Sequence, residues 1–541
     1  MTDKKNEIVA PGEKHSKPSE NVQKTGVIGD KENSTEFHKA HKKSHSKDKA
    51  PSDLVPAVQS FGIDGLDENS KTSKEKTSSG KKSGDPSWQK EGDGIDLGTA
   101  FQAGFGSDQE KAVLARRHFL KLLDENEKNP AEKKQVTDAM HKFEKLHGND
   151  PKEIKAFYEQ CSRMLDKAAI FGSTEAPQEK RVVLAEQTIL QAADPDLIRQ
   201  GSHNTCNVST LEYRLYSKHP ASAAKMVADL ARDGRWESGN TKVNLTWHKE
   251  SFLPEPGTSS LKLGDDRSFA SQIFQIGAVN VHYAEGKMFE SEYFQEVNKL
   301  TGKHEEVLLY DGVKRGKPNL TNQELVGVYN KIAGTNEENF ILTRENTPNS
   351  EHCMKFKTQE ELGNYLFKHA NEMPLILVVH TANEPFWGES KVGDTLGGPH
   401  VITIKSYNPV NGTVAMHNQW EKENDHAAMP LTVLYNATLS PVETINRLQD
   451  LEDNNKISVS EKLDMARLRW VHAAEGDAKA QMGQDLIDCM KEAHHRWKTQ
   501  HISDEQQKKD WVKFEKILRM LTATIQDDGA LARRIKKEVG H

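Results

Sequence analysis

Apolar and polar positions alternate in four successive styles along the chain. Residues 1–105 are rich in Lys, Ser, Gly, Glu and Asp and poor in large apolar side chains. Such a stretch buries too little surface to offset the entropy of ordering, so the pattern predicts a disordered tail. From Ser107 apolar residues recur at helical spacing. Ser107 or Asp108 can cap a helix carrying Val113, Leu114, Phe119, Leu120, Leu122 and Leu123, ended by Asn129-Pro130. Further helices are expected over 140–146 and 154–170, so 106–178 reads as a small helical domain whose stripes form its own core.

Residues 179–438 mix both periods. Helices are predicted over 182–190, from Cys206 onward and over 220–230. Strand-like runs follow at 306–310, 340–343, 375–380, 400–407, 413–418 and 431–434. Asn408-Pro409-Val410-Asn411-Gly412 separates two of them and predicts a β-hairpin. The region is α+β, helices first and strands later. Residues 439–541 return to helix, with Trp511, Phe514, Ile517, Leu518, Leu521 and Ile525 on one face.

Composition sharpens this outline. Hydrophobic residues make up 35% of the 541 and charged ones 29%, which agrees with a partly unfolded chain. A net charge of −7 is mild for this length and gives no reason to expect nucleic acid as the main partner. His38, His41 and His45 lie among lysines and read as part of a solvated tail, with targeting or docking as its other use. The first residues have no apolar core of the signal-peptide kind, and no apolar run is long enough to span a bilayer. The four cysteines, Cys161, Cys206, Cys353 and Cys489, are scattered, with no CxxC pair. A disulfide framework or zinc site is not expected, and a cytoplasmic, reducing location fits; secretion without a signal peptide stays open. No cofactor and no metal is expected.

The candidate chemistry lies in three short motifs. Gln200-Gly201-Ser202-His203-Asn204-Thr205-Cys206 runs into a helix with Val208, Leu211 and Leu215 as its buried stripe. Asn204 or Thr205 can cap that helix, and a thiol in its first turn faces N–H groups and the positive end of the dipole, which favour the thiolate. The Gln200 amide and the Cys206 N–H can both aim at an oxyanion. His400 follows Gly397-Gly398-Pro399 at the head of a strand and suits a general base. His380 and His417 compete with it, although His417 should point to the opposite face. Asn418, on the paired strand, can accept from the His400 ring and fix its tautomer, with Trp420 covering that bond.

This set resembles the papain-like cysteine peptidases, including the calpain-type branch. The likeness rests on the Gln-Gly-x-x-x-x-Cys spacing, the Cys…His…Asn order and the Asn-x-Trp ending, and covers roughly residues 195–435. It implies a two-lobed catalytic domain, a helical lobe with Cys206 and a β-rich lobe with His400 and Asn418, and a cleft for an extended peptide. It also implies Gln200 as oxyanion donor, Cys206 as nucleophile, His400 as base and Asn418 as orienter. Asn207 stands where the family has an aromatic residue, Thr205 where a small or acidic one is common, and Glu421 where a glycine usually follows the Trp. These departures leave subsites and branch open. The expected activity is that of a cysteine-type endopeptidase on protein or peptide substrates, with the helical flanks available to a protein partner. Transglutaminase or deamidase chemistry on the same triad, or a non-catalytic papain-fold interaction protein, are the alternatives.

Overall fold

The computed structural model describes residues 107–166, 176–499 and 511–517, apart from 263, 285–290, 316–317, 319, 388–396, 421–424 and 475. The expected tail over 1–105, its histidine run, the end of the helix expected over 154–170, and Leu518, Leu521 and Ile525 lie outside the described residues.

Among the described residues three helices come first: α1 (Asp108–Asn126), α2 (Pro130–His147) and α3 (Pro151–Leu165). Ser107 closes a capping box with Glu110 at the head of α1. Ala112, Ala115, Phe119 and Leu123 form the buried stripe. Asn129-Pro130 begins α2 rather than merely ending α1, because the Asn129 side chain accepts from Ala131 N–H and proline suits the first helical position. Phe119, Phe143, Phe157 and Tyr158 are fully buried together, with Phe143 and Phe157 rings 4.3 Å apart.

The middle of the chain supplies α4 (Gln178–Ala193), α5 (Cys206–Lys218), α6 (Pro220–Asp233), the hairpin β1 (Arg235–Ser238) and β2 (Thr241–Asn244), and α7 (Phe269–Tyr283). Helix α7 is buried from Phe269 to Val281, so α4, α5 and α6 pack around it. An antiparallel meander of β3 (Ser291–Val297), β4 (His304–Tyr310) and β5 (Val313–Arg315) follows, then α8 (Asn322–Ala333).

The large sheet is built from β6 (Ile341–Arg344), β7 (Met354–Phe356), β8 (Leu375–His380), β9 (Pro399–Asn408), β10 (Thr413–His417) and β11 (His426–Pro430), with α9 (Gln359–Lys368) between β7 and β8. Its order is β11-β10-β9-β8-β6-β7. The β8 to β11 pairs are antiparallel, and β6 pairs in parallel with β7 and β8. The turn at 409–412 makes β9 and β10 the expected hairpin, with Thr413 opposite Asn408.

The run at 431–434, expected as a strand, is instead the start of α10 (Leu431–Ala437). Leu431, Leu434 and Ala437 are all buried, and a spacing of three puts them on one helical face, which a strand cannot do. Then come α11 (Pro441–Asp453), α12 (Val459–His472), α13 (Asp477–Thr499) and helical residues 511–517.

Two apolar clusters result. The larger runs from Ala112 to Ala437, continuous from α1–α3 into the sheet. The smaller joins Trp387 to Leu463, Trp470, Ile487, Phe514 and others of the last helices. The described chain is therefore mixed α+β, with helices leading and strands following. No helix among the described residues is long and apolar enough to cross a membrane.

Candidate active site

The loop from Ile198 to Thr205 is fixed at both ends. At its start, Gln200 donates its backbone N–H to the Gln419 carbonyl at 3.0 Å, and Arg199 Nη1 donates to the Asn418 carbonyl at 3.1 Å. At its end, the Thr205 hydroxyl donates to Gln275 Oε1 at 2.8 Å. Gln275 Nε2 in turn donates to the Arg199 carbonyl and to Glu212 Oε2. One buried amide on α7 thus ties together both ends of the loop and the helix that follows it.

Gly201 makes the turn possible. Its φ is +61° and a Cβ there would meet Arg267 Cβ at 3.2 Å, so a side chain would be strained in conformation and would crowd Arg267. The Gln200 side chain is buried, and its Nε2 donates to the His203 carbonyl at 2.7 Å. That bond sets which end of the amide is the donor. Gln200 Oε1 has no hydrogen-bond partner among the described residues.

Below the loop is a buried charge cluster that sequence reading missed. Arg267 is fully enclosed and pairs with Glu255 and Glu306. His203 reaches the same two carboxylates, at 2.9 and 3.4 Å, and the Tyr293 hydroxyl donates to Glu306. Burial acts to raise both carboxyls, but Arg267 and His203 hold them below the usual carboxylate range. These residues are spread over a hundred positions, and nothing in their local sequence marks them as buried.

Cys206 is the first residue of α5, half-buried and packed against the larger core. Thr205 stands at the expected cap position, but its hydroxyl goes to Gln275 and caps nothing in the first turn. The Asn207 side chain takes the Val208 N–H at 2.8 Å and donates to the Leu320 carbonyl at 3.0 Å. Val208, Leu211 and Leu215 form the buried face as expected. By contrast, Cys161 and Cys353 are buried, and burial pushes both thiols up, Cys353 to about 11.

The imidazole stands on β9, against which α5 packs. His400 is 3% exposed, and its Nε2 lies 3.0 Å from Asn418 Oδ1. The Trp420 ring stacks on it at 4.2 Å, and Phe386 meets it edge-on at 6.2 Å. Since the Asn418 oxygen can only accept, the bond assigns the ring proton to Nε2 and leaves the lone pair on Nδ1. Burial pushes the ring down to about 4, with the Asn418 bond acting the other way. Gly397, with φ +73°, lies so close to the backbone of Ala382 that a Cβ would fall 2.5 Å from its nitrogen. This close approach seats the strand entrance.

The competing histidines have partners of their own. His417 turns to the opposite face, as strand alternation requires. There it meets Asp425, Arg199 and the Ile198 carbonyl, with the Tyr213 ring 5.0 Å away. His380 ends β8, where its Nδ1 accepts from Ala382 N–H. Asp425 also accepts the Asn418 N–H at 2.8 Å. Although burial works against it, the His417 and Arg199 contacts hold the Asp425 carboxyl below its ordinary range. Arg199 and Asp425 are therefore the bridge between the Gln200 loop and the Asn418 strand end, and no local pattern marks either.

His400, Asn418 and Trp420 are thus in direct contact, and Gln200 is bonded through its backbone to the residue after Asn418. Gln200 and Cys206 share one braced loop. No protein-family model matches the chain, and neither the curated proteins nor the solved structures contain a match.

Proposed function

We propose that the chain is a cysteine peptidase of papain-like architecture, with the helices around α7 as one lobe and the large sheet as the other. The observation that carries the reading is the His400–Asn418 bond under the Trp420 ring, one residue from the backbone bond that ties in the Gln200 loop. A ring oriented by an acceptor-only oxygen and shielded from water is what a general base beside a thiol requires.

In this reading Nδ1 of neutral His400 takes the Cys206 proton as sulfur attacks the peptide carbonyl. The Gln200 amide and the backbone N–H of Cys206 face the developing oxyanion. The imidazolium then returns its proton to the leaving amine. Water, deprotonated by the same ring, cleaves the thioester. Burial holds the His400 ring below its ordinary value, which suits a neutral imidazole as acceptor of that proton.

The test is an activity-based thiol probe on wild type, Cys206→Ala and His400→Ala. Labelling should vanish in the first variant and slow on the order of a hundredfold in the second. Label retained by Cys206→Ala would remove the nucleophile. New N-termini without ammonia release separate peptidase action from glutamine deamidation or transglutamination.

A further inference from the structure

Helix α4 is covered on all sides from Leu184 to Ala193. Glu186 lies inside that stretch, 1% exposed, and its Oε1 has no hydrogen-bond partner among the described residues. A carboxyl where an aliphatic side chain would pack is costly unless something compensates it. Its neighbours add to the cost. Glu127, just beyond α1, and Glu132, in the first turn of α2, place carboxylate oxygens within 4.8 Å of one on Glu186 and of each other. Burial first, and then these two acids, push Glu186 up to about 8.

The adjacent cations do not relieve the cluster. Lys128 donates to the Asp124 and Glu125 carbonyls, and Lys133 pairs with Asp124. Two of the acids have local uses: Glu127 accepts the Asn129 N–H, and Glu132 sits at the favourable end of a helix dipole. Glu186 has only the Glu127 carboxyl as a side-chain partner, and no donor reaches its Oε1 among the described residues.

We propose that Glu127, Glu132 and Glu186 hold a divalent cation of the hard, oxygen-seeking class, for which Ca2+ is the probe. All three donors are carboxylates, the ligands such ions select. Water completes the coordination. The ion neutralises the buried carboxylate and clamps the α1–α2 connection to α4, the helix that leads into Arg199 and Gln200. The sequence had given no reason to expect a metal, because the donors come from three separate helical segments. The site stands independently of the peptidase reading.

The full chain, stripped with EDTA and exchanged into metal-free buffer, is titrated with CaCl2 in a calorimeter. One saturable site per chain is expected. Glu186→Gln should weaken binding on the order of tenfold or more, while melting in EDTA no lower than wild type. Glu127→Gln and Glu132→Gln, at half-buried helix ends, carry the same test should Glu186→Gln fail to fold. Absence of saturable binding up to about 5 mM Ca2+, or binding unchanged in the variants, would mean a shared proton alone satisfies these acids and would overturn the site.

Discussion

His400 is held neutral by where it sits, and that has a thermodynamic signature. Its ordinary value of 6.5 falls to about 4 in the folded chain. Between those limits the unfolded chain binds a proton that the folded chain does not. Stability is therefore full above pH 6.5 and falls as pH drops toward 4, by about 1.4 kcal/mol per pH unit for one proton. Urea unfolding at pH 7.5 and pH 5 should show wild type losing about 2 kcal/mol more than His400→Gln. Parallel losses would mean the ring is wetter than its surroundings imply. A second residue-scale expectation concerns Gln275. Gln275→Met keeps the volume but strands the Thr205 hydroxyl, the Arg199 carbonyl and Glu212. The expected cost is about 2–4 kcal/mol, with amide exchange rising in 199–206; an unchanged urea midpoint would show that the loop does not depend on this hub. The local settings of Gln200, Cys206, His400 and Asn418 were legible in the sequence: a glycine turn, a helix start, a strand entrance, a hairpin. Gln275, Arg199 and Asp425 were not, because the burial of an amide or a charge is decided by partners distant in the chain.

At the scale of elements, β9 is defined by a glycine beyond each end, and the two are not equivalent. Gly412 has φ +60° with open space around it, while Gly397 has φ +73° and the Ala382 backbone against it. Alanine at Gly412 meets only the left-handed backbone penalty, about 1 kcal/mol. Alanine at Gly397 must also displace a neighbouring chain, so Gly397→Ala should cost about 3 kcal/mol or more and slow thiol labelling by moving His400. Equal melting temperatures for the two variants would refute the difference. The hairpin itself was legible because its turn residues and alternation agree. The 431–434 run was misread because Leu-Thr-Val-Leu has strand propensity, and the deciding fact is the common burial of Leu431, Leu434 and Ala437. Helix α7 went unread for the opposite reason: Ser271, Gln272, Gln275 and Asn280 look solvent-facing, yet all are buried and bonded to neighbouring segments. The parallel pairing of β6 with β7 and β8 leaves no trace in alternation at all, since long connections rather than turns set it.

Across the whole molecule, the division of apolar residues into two clusters predicts two levels of cooperativity. The helices α1–α3 share one core with the sheet, so they should open with it. The last helices pack instead into the second cluster, which includes Trp387, a ring that also stacks under the Arg467 guanidinium at 4.2 Å. Arg467 donates to the Ala382 carbonyl, so the smaller cluster grips the same segment that seats the entrance to β9. Removing the indole takes a large buried member from the small cluster while leaving the large one intact. Trp387→Ala, at a local cost of about 3–5 kcal/mol, should raise amide exchange across 459–499 by roughly tenfold or more while β8 to β10 keep their protection. Cys206 labelling should slow less than exchange rises, because the segment 381–387 loosens without losing the His400–Asn418 bond. If strands and terminal helices lose protection together, the two clusters form one cooperative unit, and the last helices belong to the fold of the site itself.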